Sequence, residues 1–280
     1  MIVCIASGKG GTGKTTIAAN LAAVLAEKAQ YLDCDVEEPN GHLFLKPNIE
    51  HSEPVFVPVP KVDVAKCDFC RKCAEFCQFN AIAVLGKNIL TFPELCHSCG
   101  GCKLICPKEA IFEIPKKIGK LEKGMAGEVE FIHGHLRIGE AMAVPLIERV
   151  KKERKPNKIT IIDAPPGTSC PVIAALKGSD VALLVTEPTP FGLFDLKLAV
   201  GVARILKIPL AIVVNRADLG DKKVFDYCAK EDIPILMTIP FSKDIAQTYA
   251  KGELLVKQPK WQDRFLALWH QIKETMGGQK

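Results

Sequence analysis

Residues 7–16 read SGKGGTGKTT. Gly8, Lys9, Gly10, Gly11, Thr12, Gly13, Lys14 and Thr15 satisfy the phosphate-loop spacing G-x-x-x-x-G-K-[ST], and Thr16 follows. Glycines at such a turn let backbone N–H groups reach phosphate oxygens, and a helix N-terminus behind them favours the anion. Lys14 is then the residue to lie along the β- and γ-phosphates, and the Thr15 hydroxyl the one to ligate Mg²⁺. The flanks agree with this reading. IVCIAS before the loop is a buried strand, and KTTIAANLAAVLAEKA after it has the apolar spacing and alanine content of a helix.

Outward from the loop, YLDCD (31–35) is expected to end a second strand. In the second half KITIIDAP, VALLVTEP, LAIVVNRAD and PILMTIP are β-branched apolar runs that alternate with helical stretches such as LFDLKLAVGVARILK. Alternation of this kind predicts an α/β fold, a doubly wound and mostly parallel sheet with helices on both faces. Pro54, Pro58 and Pro60 predict an extended linker. The organisation expected is a first nucleotide-domain part over 1–57, an inserted domain over 58–115 and a second part over 116–280. GEVEFIHGHLRIG is the return, as a hairpin or irregular chain.

The insert holds CDFCRKCAEFCQ (67–78) and CHSCGGCKLICP (96–107), two runs of C-x2-C-x2-C-x3-C set 29 residues apart. The same offset carries Ala81-Ile82 onto Ala110-Ile111, which predicts two related sites across a pseudo-twofold axis. Thiolates suit iron–sulfur clusters and zinc. Zinc sites favour two separated pairs, whereas this spacing is the bacterial ferredoxin signature for [4Fe–4S]. In ferredoxins with that signature the fourth cysteine of each run serves the other cluster. Carried over, one cluster takes Cys67, Cys70, Cys73 and Cys106, and the other Cys96, Cys99, Cys102 and Cys77. The second run ends in Cys106-Pro107 as the signature expects, whereas the first ends in Cys77-Gln78. Gly100 and Gly101 are expected to permit close backbone approach to a sulfide.

The bulk numbers exclude several classes. With 37 basic and 32 acidic residues the net charge of +5 is too mild to imply nucleic acid. The basic stretch ERVKKERKPNK (148–158) reads as a helix ending in cations, stopped by Pro156. Twelve cysteines without a recognisable signal peptide predict the reducing cytoplasm, where clustered thiolates bind metal. No apolar run approaches the ~18 residues of a membrane span. Cys4, Cys34 and Cys228 read as small hydrophobes. His133 and His135 alternate on one strand, so they share a face and read as a surface pair or a metal pair. WQDRFLALWHQIKETM, with Trp261, Phe265, Leu268, Trp269, Ile272 and Met276 apolar, predicts a helix packed on the sheet rather than a membrane anchor.

The form KGGTGKTT, with its extra Lys9, resembles the deviant phosphate loop of the MinD/ParA and nitrogenase-iron-protein class. The resemblance implies that Lys9 reaches the partner's nucleotide in a dimer sandwiching two Mg·ATP. It also implies that Asp35 is the switch I aspartate, orienting the attacking water near Mg²⁺. By the same resemblance Asp163 in IIDAPPG would be the switch II aspartate at Mg²⁺ and Gly167 its γ-phosphate sensor. It implies too that Asn215 in VVNR reads adenine, with Arg216 beside it at the nucleotide, and that Pro240 lies in a loop covering the base. Cys170 stands at the offset where iron-protein relatives place a cluster ligand. The chain is thus similar to MinD-superfamily ATPases with an inserted ferredoxin domain. Expected is a homodimer, or a heterodimer with a homologous ATPase, acting on a metallocofactor protein or redox acceptor. Two roles follow: assembly of an iron–sulfur or related metal cofactor, as in Mrp-type carriers, or nucleotide-gated electron transfer.

Overall fold

A computed structural model describes residues 1–277. The first part contains β1 (Ile2–Ala6), α1 (Lys14–Leu25), β2 (Ala29–Asp33), α2 (Gly41–Leu45) and β3 (Asn48–Val62). A middle part follows with α3 (Lys72–Phe76), β4 (Ile82–Leu85), β5 (Asn88–Thr91) and α4 (Gly101–Leu104). Then come β6 (Ile111–Ala126), β7 (Val129–Leu136), α5 (Val144–Lys151), β8 (Ile159–Asp163), α6 (Cys170–Leu176) and β9 (Val181–Thr186). The chain closes with α7 (Pro190–Ile205), β10 (Leu210–Asn215), α8 (Lys223–Lys230), β11 (Ile235–Ile239), α9 (Lys243–Ala250) and α10 (Pro259–Gly277).

Nine strands form one sheet in the order β11-β10-β9-β1-β8-β2-β7-β6-β3. The seven from β11 to β7 pair in parallel, and β6 and β3 extend the sheet antiparallel. Parallel strands need both faces covered, and the sheet separates two apolar layers. On one face Val3, Ile5, Tyr31 and Phe131 pack under α1 and under Trp261, Phe265, Leu268 and Ile272 of α10. On the other, Cys4, Leu32, Ile162 and Leu184 pack under α5, α6, α7 and α8. The C-terminal helix is therefore a sheet-covering helix; the Met276 side chain lies outside the described ones. Cys4, Cys34 and Cys228 are buried in the second layer. Among the described residues no helix is long and apolar enough to cross a membrane.

Two local expectations are corrected, and a third is resolved to one of its two forms. The proline-rich 54–60 stretch is not a linker but part of β3, the outermost strand, paired along its length with β6. An edge strand tolerates proline because the missing N–H costs no second ladder. The return segment is a regular hairpin of β6 and β7, turning at Gly127 with φ +59°. The basic helix ends at Lys151, five residues before Pro156. Lys151 turns inward, its ammonium donating to the carbonyls of Ala174 and Lys177 at the end of α6. That placement follows the helix dipole, which collects unsatisfied carbonyls at a C-terminus.

Candidate functional site

The C-terminal ends of β1, β8 and β2 meet the N-terminus of α1, the crevice where open α/β sheets bind ligands. The loop from Ser7 to Gly13 leads into α1 with Gly11 at φ +77° and Gly13 at φ +97°. A Cβ on Gly13 would lie 2.6 Å from Nδ2 of Asn215, and one on Gly8 would strike the Asp195 backbone. Both positions are closed to larger residues, so the loop backbone stays bare toward a ligand.

Behind the loop sit four ionisable groups. Asp163 ends β8 and is 1% exposed. Its Oδ2 accepts from the buried Tyr31 hydroxyl at 2.9 Å, while Oδ1 has no hydrogen-bond partner. Burial raises its carboxyl, opposed by the nearby Thr15 hydroxyl and the charge of Lys14. Burial likewise lowers the Lys14 ammonium, with Asp163 and Asp35 pulling the other way. Asp35 is pushed from 3.8 to about 6, by burial first and then by Asp163. Asp33, beside Asp163 in register, accepts from the N–H groups of Gly41 at 2.9 Å and Asp35 at 3.1 Å. The pocket thus sets three acids, Asp33, Asp35 and Asp163, against the one Lys14 ammonium. An orphaned carboxylate oxygen beside a threonine hydroxyl, with a second acid nearby, fits a hard cation that takes oxygen ligands.

The outer residues fall around this centre. The Gly167 N–H donates to the Ser7 carbonyl at 3.0 Å, tying the segment after β8 to the loop, with Gly167 at φ +97°. Asn215 ends β10 and donates to the Thr12 carbonyl at 2.9 Å. Pro240 is exposed just beyond β11. Lys9 lies 3.4 Å from Glu187, which also binds Arg216 at 2.7 Å. Sequence reasoning passed over Tyr31, Asp33 as a backbone anchor, and Glu187. Their signal was an acid or hydroxyl at or near the C-terminal end of a parallel strand, in YLDCD and VALLVTEP.

The second region lies between the far ends of β3 and β6. Its two halves repeat at the 29-residue offset in backbone detail. Left-handed Phe69, Arg71 and Asn80 match Ser98, Gly100 and Glu109. The N–H of Phe69 donates to Cys67 Sγ at 3.4 Å and that of Ser98 to Cys96 Sγ at 3.3 Å. The N–H groups of Ala81 and Ala110 donate to Cys77 and Cys106, both at 3.3 Å. Two hollows result. Cys67, Cys70, Cys73 and Cys106 line one, and Cys77, Cys96, Cys99 and Cys102 line the other. Burial pushes the Cys102 thiol up to about 11 and raises that of Cys73. Such thiols ionise only when a cation takes the charge. Four sulfurs per hollow, with N–H groups directed at them, fit a group that takes four thiolates. Gly101 is small for another reason than expected: a Cβ there would meet the Phe76 ring at 2.2 Å, so it lets α3 and α4 touch. Cys170 begins α6 and is the exposed cysteine outside the two runs.

The chain has relatives of known fold and family. The family model for the CobQ/CobB/MinD/ParA nucleotide binding domain matches residues 3–256. An uncharacterized protein of Methanocaldococcus jannaschii is 35% identical over 263 residues, covering 92% of each chain. The iron-sulfur cluster carrier protein of Pyrococcus abyssi is 27% identical over 224 residues, covering 78% of this chain and 62% of the carrier. Among solved structures, the septum site-determining protein MinD of Pyrococcus horikoshii, complexed with Mg-ADP, superposes with a TM-score of 0.59. It is 20% identical, over 97% of this chain and 95% of that one; the likeness is one of fold.

Proposed function

Because the chain belongs to the CobQ/CobB/MinD/ParA nucleotide-binding family, we propose that it is a Mg·ATP-dependent ATPase serving the assembly or maturation of an iron–sulfur or related metal cofactor. The middle segment is, in this reading, an inserted ferredoxin-like domain with two [4Fe–4S] clusters. The observation that carries it is the sorting of eight cysteines into two hollows, each taking three from one run and the fourth from the other. The repeated N–H donors to sulfur support it, since they favour anionic thiolates. So does the similarity to a protein named as an iron-sulfur cluster carrier. Bound there, the clusters would supply one-electron exchange.

At the nucleotide site Gly8 to Thr16 cradle the phosphates, with Lys14 neutralising charge on the transferred group. Thr15, Asp163 and Asp35 hold Mg²⁺, whose charge offsets the excess of acids. Asp35 orients the attacking water, and Gly167 senses the γ-phosphate through the segment it ties to Ser7. Asn215, Arg216 and Pro240 border the base. Lys9 stays on its own Glu187 in the single chain and exchanges that carboxylate for the partner's nucleotide on dimerisation. The partner is a second copy or a homologous ATPase. An apolar stripe on α7 beside the loop supports the dimer: Phe191, Phe194, Leu198 and Ile205 are 78%, 63%, 47% and 82% exposed. Stripes of this kind mark interaction sites.

A second reading, nucleotide-gated electron transfer to a partner redox enzyme, is favoured by one feature. Each hollow offers four protein thiols, which closes a cluster's ligand set and suits a permanent centre. One experiment tests both roles. Iron and sulfide are counted on anaerobically purified protein, before and after a chelator, with and without Mg·ATP. About eight irons per chain that respond to nucleotide support the assembly role. The same number unmoved by chelator and nucleotide supports gated reduction, and zinc in place of iron sinks both.

A further inference from the structure

A second group of ligating side chains lies beyond the nucleotide crevice, on the α1 and α10 face of the sheet. Glu122 on β6 is the direct cross-strand neighbour of His133 on β7, and His135 follows two residues on, on the same face. Ligand atoms of all three lie within 4.8 Å of one another. The Glu122 Oε2 is 3.0 Å from His133 Nε2 and 3.4 Å from His135 Nε2. His42 of α2 roofs the group, its ring centroid 5.7 Å from that of His133 and 6.3 Å from that of His135.

We propose that Glu122, His133 and His135 form a site for one borderline divalent transition-metal ion of the zinc, cobalt or nickel class. Tetrahedral bonds of about 2.0–2.1 Å separate neighbouring ligand atoms by about 3.3–3.4 Å, close to the 3.0 and 3.4 Å between Glu122 and the two imidazoles. Two imidazoles with one carboxylate select these metals over magnesium or calcium, which take oxygen. Glu122 is held ready to ligate, because Lys120 at 2.8 Å and Ser52 at 3.1 Å both donate to Oε1 and leave Oε2 to the imidazoles. The Lys120 ammonium opposes a cation, and the Glu122 charge offsets it.

A further observation points to a ligand. The Nδ1 atoms of His133 and His42 are buried with no hydrogen-bond partner, so the cluster is unsatisfied as a set of protein groups alone. His135 is 32% exposed and gives an entry path. The site would join two neighbouring strands, β6 and β7. β6 leads to the cysteine-rich segment, and β7 runs beside β2. His42 follows Gly41, whose N–H holds Asp33 at the end of β2.

The test uses the full chain with its iron loaded, dialysed against Co²⁺, with bound metal counted and the visible spectrum recorded. Expected is one Co²⁺ per chain with nitrogen and oxygen ligation. Affinity should fall at least about tenfold in both His135→Gln and Glu122→Gln, and stay unchanged in Cys170→Ser. His135 is partly exposed, so its variant should fold, which circular dichroism checks. Absence of Co²⁺ uptake, undiminished affinity in the His135 and Glu122 variants, or a thiolate-to-cobalt charge-transfer band would overturn the proposal. Glu122, His133 and His135 would then be a hydrogen-bonded network only.

Discussion

Asp35 stands two residues past the end of β2, where burial and Asp163 raise its carboxyl from 3.8 to about 6. The native state therefore holds a proton there that the unfolded chain has released. Its stabilising effect is full below the ordinary value and is lost as pH rises through about 6. The shift corresponds to about 3 kcal/mol at most. Denaturant melts of the nucleotide-free protein should show this loss between about pH 4 and pH 7, and Asp35→Asn should remove that share of it. Equal pH profiles for the two proteins would mean the carboxyl is solvated. The residue was legible as a candidate because the phosphate loop resembles that of a family whose switch I aspartate Asp35 matches. Its environment was not, since Asp163 lies 128 positions away and meets it only through the pairing of β2 with β8. Glu187 was hidden for the same reason: nothing near VTEP announces that Lys9 is its partner.

At the scale of elements, α7 shows what periodicity can and cannot tell. LFDLKLAVGVARILK is apolar nearly all round, so a helix was readable but its covered face was not. The fold buries Leu196, Ala199, Val200 and Ala203 and leaves Phe191, Phe194, Leu198 and Ile205 outside. If that stripe is the dimer contact, Phe194→Asp with Leu198→Asp should keep the protein monomeric in Mg·ATP. Light scattering should record the monomer while the melting temperature of the nucleotide-free chain stays within a few degrees. A dimer of unchanged strength would remove α7 from the interface. β3 teaches the converse. Three prolines argued for a linker because proline breaks ladders, yet an outermost strand has only one ladder to keep.

Across the whole molecule, the two large apolar layers contrast with the cysteine-rich segment, whose buried apolar cluster is Cys73, Ile82, Val84 and Ile111. So small a core does not offset the ordering of nearly fifty residues, and units of this kind rely on metal or covalent links. Removing iron under reducing conditions should therefore speed amide exchange across 63–110 while β1, β8 and β9 stay protected. Slow exchange throughout would show that the segment holds itself. The sequence by itself determined the phosphate loop, the alternation that yields a parallel sheet, and two thiolate runs at one offset. Each rests on spacing within a few dozen residues, where covalent geometry and hydrophobic period act directly. Only the tertiary structure decided that β3 is the sheet's edge, that Lys9 rests on Glu187, and that His42 roofs Glu122, His133 and His135. Those contacts join residues far apart in the chain, and burial and strand register, not local propensity, choose them.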